Sequence, residues 1–236
     1  MAPTDPDASV SSFSDQFRLL DDRTINIDPN GDTILVVHQD DESKTLRVSS
    51  QVMRLTSPHW RKMLDIEYGF KESTTGSISL HEDNFQAVFL VLLVSHLKFQ
   101  DIPEKLTFTE LYELCVTCDK YFCIGVMRPW IYGWMSPWRA KSVHAKWARI
   151  AWVVGDQAEV GHAVTYLIKT CTTNEVKQCL DAFHQVIDET LPPGLSGKSS
   201  ALIGTSVHKT DDFDRCDLEG SLYHSRCSHS VLSSNG

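Results

Sequence analysis

An α+β fold is what this 236-residue chain predicts, on three observations. Strand-like runs, apolar or alternating, lie between Thr33 and Leu80. From Phe85 onward apolar residues recur at i, i+3 and i+4, the helical period. From Ser142 to Ile187 the pattern is helical alone. The apolar share of 42% is enough for a real core, and the length suits one ordinary domain with extensions, or two small ones.

Residues 1–29 are polar and rich in Ser and Asp, and they read as a flexible acidic arm, although Phe13, Phe17 and Leu20 could line one face of a short helix. Asp28-Pro29-Asn30-Gly31-Asp32 is a dense turn signal. Thr33–His38 follows as a strand, and its unbroken apolar run suggests burial on both faces. Gln39–Ser43 is hairpin-like, and in Thr45–Val48 Leu46 and Val48 alternate with Arg47, as in a half-exposed strand.

Ser50–Leu55 is a short helix entered through a Ser. Ser57-Pro58 opens a second, with Ser as N-cap and Pro where a missing N–H is harmless. Its Trp60, Met63 and Leu64 should point inward. Ile78 and Leu80 alternate with serines as a third strand, and Phe85, Val88, Phe89, Leu92 and Leu93 form a helical stripe. Lys98–Lys105 is a loop, and Thr107-Phe108-Thr109-Glu110 is a capping box before Leu111, Leu114, Cys115 and Cys118. Ile124, Met127, Ile131 and Trp134 mark a further helix, in which Pro129 is either a kink or the true start.

Trp147, Ile150, Ala151 and Val154 make the next stripe. Val160, Ala163, Val164, Leu167, Ile168 and Cys171 make a very regular one after it. Asn174 would cap a third helix carrying Val176, Cys179, Leu180, Phe183 and Ile187. Pro192-Pro193-Gly194 ends the patterned part, and residues 192–236 read as a disordered Ser-rich tail.

The formal charge of −9 is uneven: six Asp against two Arg give the first 29 residues −4. No segment reads as strongly basic, so the footprint that attracts nucleic acid or acidic lipid is missing. Met1–Ser14 has neither the basic end nor the apolar run of a secretory signal. The longest apolar run, Ala87–Val94, is far shorter than the roughly 20 residues of a membrane span. Seven Cys without an export signal read as reduced thiols in cytoplasm or nucleus.

Taken in order, these pieces resemble a BTB/POZ domain of the fungal type across residues 30–135. Gly31-Asp32 leads the first strand, Ser57-Pro58-His59-Trp60 opens the second helix, and Leu106–Leu114 with Asp119-Lys120-Tyr121-Phe122-Cys123 resembles a later helical segment of that branch. The resemblance implies a short mixed sheet covered by a cluster of helices. Residues 136–191 resemble the partial helical extension that often follows. In one respect the chain departs from the pattern. Many animal members carry Ala-His-Lys where Val48-Ser49-Ser50 stands, and a basic group there joins the Asp of the first strand in a charged pocket of a strand-swapped homodimer. Ser49 and Ser50 carry no charge, so that dimer is not implied and Asp32 is expected to satisfy turn amides. Self-association by another route stays open.

Phe70-Lys71-Glu72, in the loop before the third strand, resembles the apolar-x-acidic motif by which some BTB proteins engage a cullin. Phe70 would fill a pocket and Glu72 would accept hydrogen bonds. The other reading leaves Phe70 tucked against the domain and Glu72 solvated.

Chemistry finds little support. Cys115-x-x-Cys118 has half a zinc or redox spacing, but it shares a helix face with Leu111 and Leu114 and reads as core. Cys216, His224, Cys227 and His229 have zinc-binding atoms in no closed-site spacing. The ten His form no HExxH, and phosphate-binding Gly loops are absent. Trp130, Trp134 and Trp138 read as packing between core and extension rather than as a stacking platform for bases. No catalytic residue, metal or cofactor is therefore expected. The expected function is protein–protein interaction as a scaffold or adaptor, with a substrate adaptor of a cullin-based ubiquitin ligase as its specific form. No Kelch, MATH or ankyrin repeat supplies a substrate reader. The alternative is a nuclear transcriptional co-regulator acting through a DNA-binding partner.

Overall fold

The computed structural model describes residues 24–39, 42–139 and 145–170, with the strand residues 172–173 and 179–180. They fall in two compact units: one holds the residues up to Arg139 with Arg149–Gln157, the other Ala145–Ala148 and the residues from Ala158.

In the first unit a mixed four-stranded sheet has the order β1-β3-β2-β4, from β1 (Thr24–Asn26), β2 (Thr33–Gln39), β3 (Glu42–Val48) and β4 (Ser77–His81). Strands β2 and β3 pair antiparallel from Thr33↔Val48 to Gln39↔Glu42, whereas β1 on β3 and β4 on β2 are parallel. Strand β1 corrects the expected arm of residues 1–29, because its end is held in the sheet. Ile25 lies opposite Leu46, the amides of Ile27 and Asp28 both donate to the Arg47 carbonyl, and Ile27 is buried. Gly31 is required by close approach, since a Cβ there would stand 2.5 Å from the Val48 carbonyl oxygen.

The apolar run of β2 covers one face fully and the other in part. Leu35 and Val37 are buried while Ile34 and Val36 are half-buried, which corrects the expectation of two buried faces. The neighbours of Ile34 and Val36 are Arg47, Thr45, Ser77 and Ser79, so the second face is largely polar.

Helices α1 (Ser50–Thr56), α2 (Pro58–Met63) and α3 (Lys71–Thr75) connect β3 to β4. Ser57 caps α2 from a buried position: its hydroxyl accepts the Trp60 amide at 3.0 Å and donates to the Tyr121 carbonyl at 2.5 Å. Helix α4 (Phe85–Ser95) is buried nearly all round, including Leu90, Val91 and Val94 outside the expected stripe, as suits a helix at the centre of a core. Helix α5 (Phe108–Lys120) starts with both halves of its capping box formed, between Thr107 and Glu110. Helix α6 (Ile124–Met135) runs through Pro129, which is therefore interior and not the start. The indoles of Trp134 and Trp138 donate to the carbonyls of Pro103 and Leu106, so both tryptophans are fixed within the first unit.

Helices α7 (Ala145–Val154) and α8 (Gln157–Thr170) follow. In the second unit the Trp147 indole donates to Glu159 at 2.9 Å, and Val160, Ala163 and Leu167 are buried as their spacing predicts. Cys179–Leu180 is not helical: it pairs antiparallel with Thr172–Thr173. The arm before Thr24, the remainder of the helix expected over 174–187 and the tail from Pro192 lie outside the described residues.

Candidate functional site

The segment from Asp65 to Gly76 is polar or apolar surface on a fixed backbone. Asp65 caps a one-turn 3-10 helix, Ile66–Tyr68, by accepting the Glu67 amide at 3.1 Å. Gly69 ends that turn and Gly76 ends α3, both in the left-handed region at φ 70 and 62 that glycine adopts without strain. Phe70-Lys71-Glu72 thus lies at a helix start rather than in the loop expected. Phe70 occupies the N-cap position, and its carbonyl accepts both the amide and the hydroxyl of Ser73. Glu72 sits in the first turn of α3, where the helix dipole favours a negative charge.

Phe70 is 49% exposed and so does not tuck against the domain. Glu72 is half-buried and Lys71 exposed. Ile66 and Tyr68, which sequence reasoning passed over, are exposed as well. Their signal was present in Ile66-Glu67-Tyr68-Gly69-Phe70, an alternation of large apolar residues. Together Ile66, Tyr68 and Phe70 give one short segment three large apolar side chains open to solvent. An apolar anchor beside a carboxylate can fill a partner's pocket and fix its orientation.

Asp32 is satisfied locally, as the absence of charge at positions 49 and 50 led one to expect. Its carboxylate accepts the amide and the hydroxyl of Ser50, each at 2.7 Å, at the start of α1. The amide bond first, and then the hydroxyl bond, hold its pKa below the usual carboxylate value.

The buried titratable groups serve packing. Asp83 receives Lys120 Nζ at 2.8 Å and the Tyr121 hydroxyl at 3.0 Å, and burial followed by the Asp83 charge pushes the Tyr121 phenol up. Cys115, Cys118 and Cys123 are free, buried thiols. Burial raises Cys115, and the hydrogen bond with Cys123 followed by burial raises Cys118, so neither favours the reactive thiolate. Among the described residues no group of three or more His, Cys, Asp or Glu is placed to hold a metal ion, and no helix is long and apolar enough to cross a membrane. A pocket of about 120 Å³ between the starts of α4 and α5 is lined by Asn84, Ala87, Leu90, Leu106, Glu110 and Leu114. It is smaller than the roughly 300 Å³ at which ligand clefts begin. Compared with models of known protein families and with curated protein sequences, the chain matches none.

Proposed function

We propose that this chain is a protein–protein interaction module of BTB/POZ type, acting as a scaffold or adaptor. The observation that carries the reading is the exposure of Ile66, Tyr68 and Phe70 on a backbone held by one cap and two left-handed glycines. Such a surface is ordered before a partner arrives, so little conformational entropy is lost on binding. The mixed sheet, the paired helices after β3 and the capped helix α5 support the fold assignment.

In its specific form the module is a substrate adaptor for a cullin-based ubiquitin ligase. Phe70 enters an apolar pocket of the cullin, Glu72 accepts hydrogen bonds, and Lys71 stays at the solvated rim. Calorimetric titration of the full chain with a purified cullin N-terminal region tests this form. Saturable binding is expected, lost in Phe70→Ala/Glu72→Ala without a drop in Tm. No heat from the wild-type chain contradicts the adaptor form, and equal binding by the double variant contradicts the role of the motif.

A further inference from the structure

Two helices of the first unit end in a way that glycine usually serves. At the end of α5 the Cys123 amide bonds the Cys118 carbonyl and the Phe122 amide bonds the Asp119 carbonyl. At the end of α4 the amides of Lys98 and Leu97 bond the carbonyls of Leu93 and Val94 in the same way. This closure places its middle residue in the left-handed region, where a side chain crowds the backbone. Here the middle residues are Phe122, at φ 54, and Leu97, at φ 60. Phe122 is 67% exposed, so burial does not offset its strain. A strained backbone that presents an aromatic ring to water points to a use for the ring.

The surroundings of Phe122 say what the ring would meet. The Ser57 hydroxyl on the Tyr121 carbonyl, and the His59 ring edge-on to Tyr121 at 5.7 Å, bring the start of α2 beside it. Arg61 Nε donates to the Arg54 carbonyl, which joins α2 to the end of α1, where Leu55 is 70% exposed. Arg61 and Lys62 are exposed on the same short helix. Between Glu42 and Asp65 the chain has five Lys and Arg and no Asp or Glu, although its total charge is −9. Asp119, which precedes Lys120, is paired with Arg149 at 2.7 Å, and Asp83 with Lys120 at 2.8 Å.

We propose that Leu55, His59 and Phe122, flanked by Arg61 and Lys62, form a second docking face for an acidic amphipathic helix of a partner protein. The partner's apolar side chains would cover Leu55 and Phe122, and its carboxylates would meet the two cations. Charge complementarity selects this partner, because a basic or neutral helix would gain only the apolar contact. The inference does not rest on the surface at Ile66–Glu72.

The test uses the full chain and two labelled helical peptides with Leu and Phe at i, i+3, i+4 and i+7, one with Glu and the other with Lys elsewhere. Fluorescence anisotropy should show saturable binding of the Glu peptide, tighter than the Lys peptide by roughly tenfold or more and weakened by salt. Phe122→Gly removes the anchor and relieves the strained backbone, so its Tm should hold or rise while binding falls by roughly tenfold. Arg61→Glu/Lys62→Glu should abolish the preference for the Glu peptide. Phe70→Ala/Glu72→Ala should bind it as the wild type does, which separates this face from the other. Absence of binding, equal binding of both peptides, or undiminished binding by Phe122→Gly would overturn the proposal.

Discussion

Asp32 and Ser50 are joined at two points, the carboxylate accepting both the amide and the hydroxyl at 2.7 Å. The contact ties the start of β2 to the start of α1 and leaves the carboxylate no need of a basic partner. Asp32→Ala is expected to destabilise the chain by about 1 kcal/mol, in the range for loss of a helix-start acceptor. Because the folded pKa lies below 3.8, the contribution of the charge is complete above that value. It is lost as pH falls below 3.8 through the lowered folded pKa. Urea midpoints of wild type and variant should therefore converge in acid, and a constant gap would contradict the assignment.

His96 also loses stability in acid, but because its neutral ring is the form the fold holds. Its Nε2 accepts the Ser49 amide at 3.1 Å and its Nδ1 lies 2.9 Å from the Leu92 carbonyl, so the neutral ring with a proton on Nδ1 fits both. Burial depresses its pKa below 6.5, with Lys98 acting the same way and the Leu92 carbonyl and Asp28 opposing. As pH falls below 6.5 the unfolded chain takes up the proton first, and stability declines. Between pH 7 and pH 5 the wild type should lose more stability than His96→Gln. Parallel denaturation curves would show that the ring is not held neutral.

Leu97 carries the left-handed strain of Phe122 at a second site, at φ 60 and 69% exposed. Leu97→Gly should stabilise by about 0.5–1 kcal/mol, relief of the backbone exceeding the added freedom of the unfolded chain. A lowered Tm would mean that Leu97 packs more than its exposure shows.

Much of this architecture was readable because it depends on near neighbours. Thr107 and Glu110 specify their own helix start, and Ser57-Pro58 does the same. The unreadable parts depend on distant chain or on departures from habit. Thr24–Asn26 is too short to announce a strand and exists through its parallel partner Thr45–Arg47. Phe122 and Leu97 stand where glycine gives the usual signal, so the two helix ends looked like ordinary chain. Phe70 was legible as a motif, while the exposure of Ile66 and Tyr68 beside it required the folded backbone. Cys179–Leu180 has an apolar spacing that fits a helix, and its pairing with Thr172–Thr173 overrode it.

Ser57 links the start of α2 to the end of α5 through one buried hydroxyl, from the Trp60 amide to the Tyr121 carbonyl. Ser57→Ala leaves both groups buried without that partner. A loss of about 2–3 kcal/mol is expected, from the cap and the orphaned carbonyl together. Thermal unfolding checks it, and a loss under about 0.5 kcal/mol, the level of an unremarkable surface change, would contradict the linking role.

The most direct test of the docking surface is affinity capture from cell lysate with the full chain, set beside Ile66→Ser/Phe70→Ser, with the Tm of each recorded. Both changed residues are exposed, so the two proteins should melt together. The account predicts a set of proteins retained by the wild type and lost by the variant at equal Tm. The same set retained by both would contradict the claim that the segment from Asp65 to Gly76 is where this chain meets its partner.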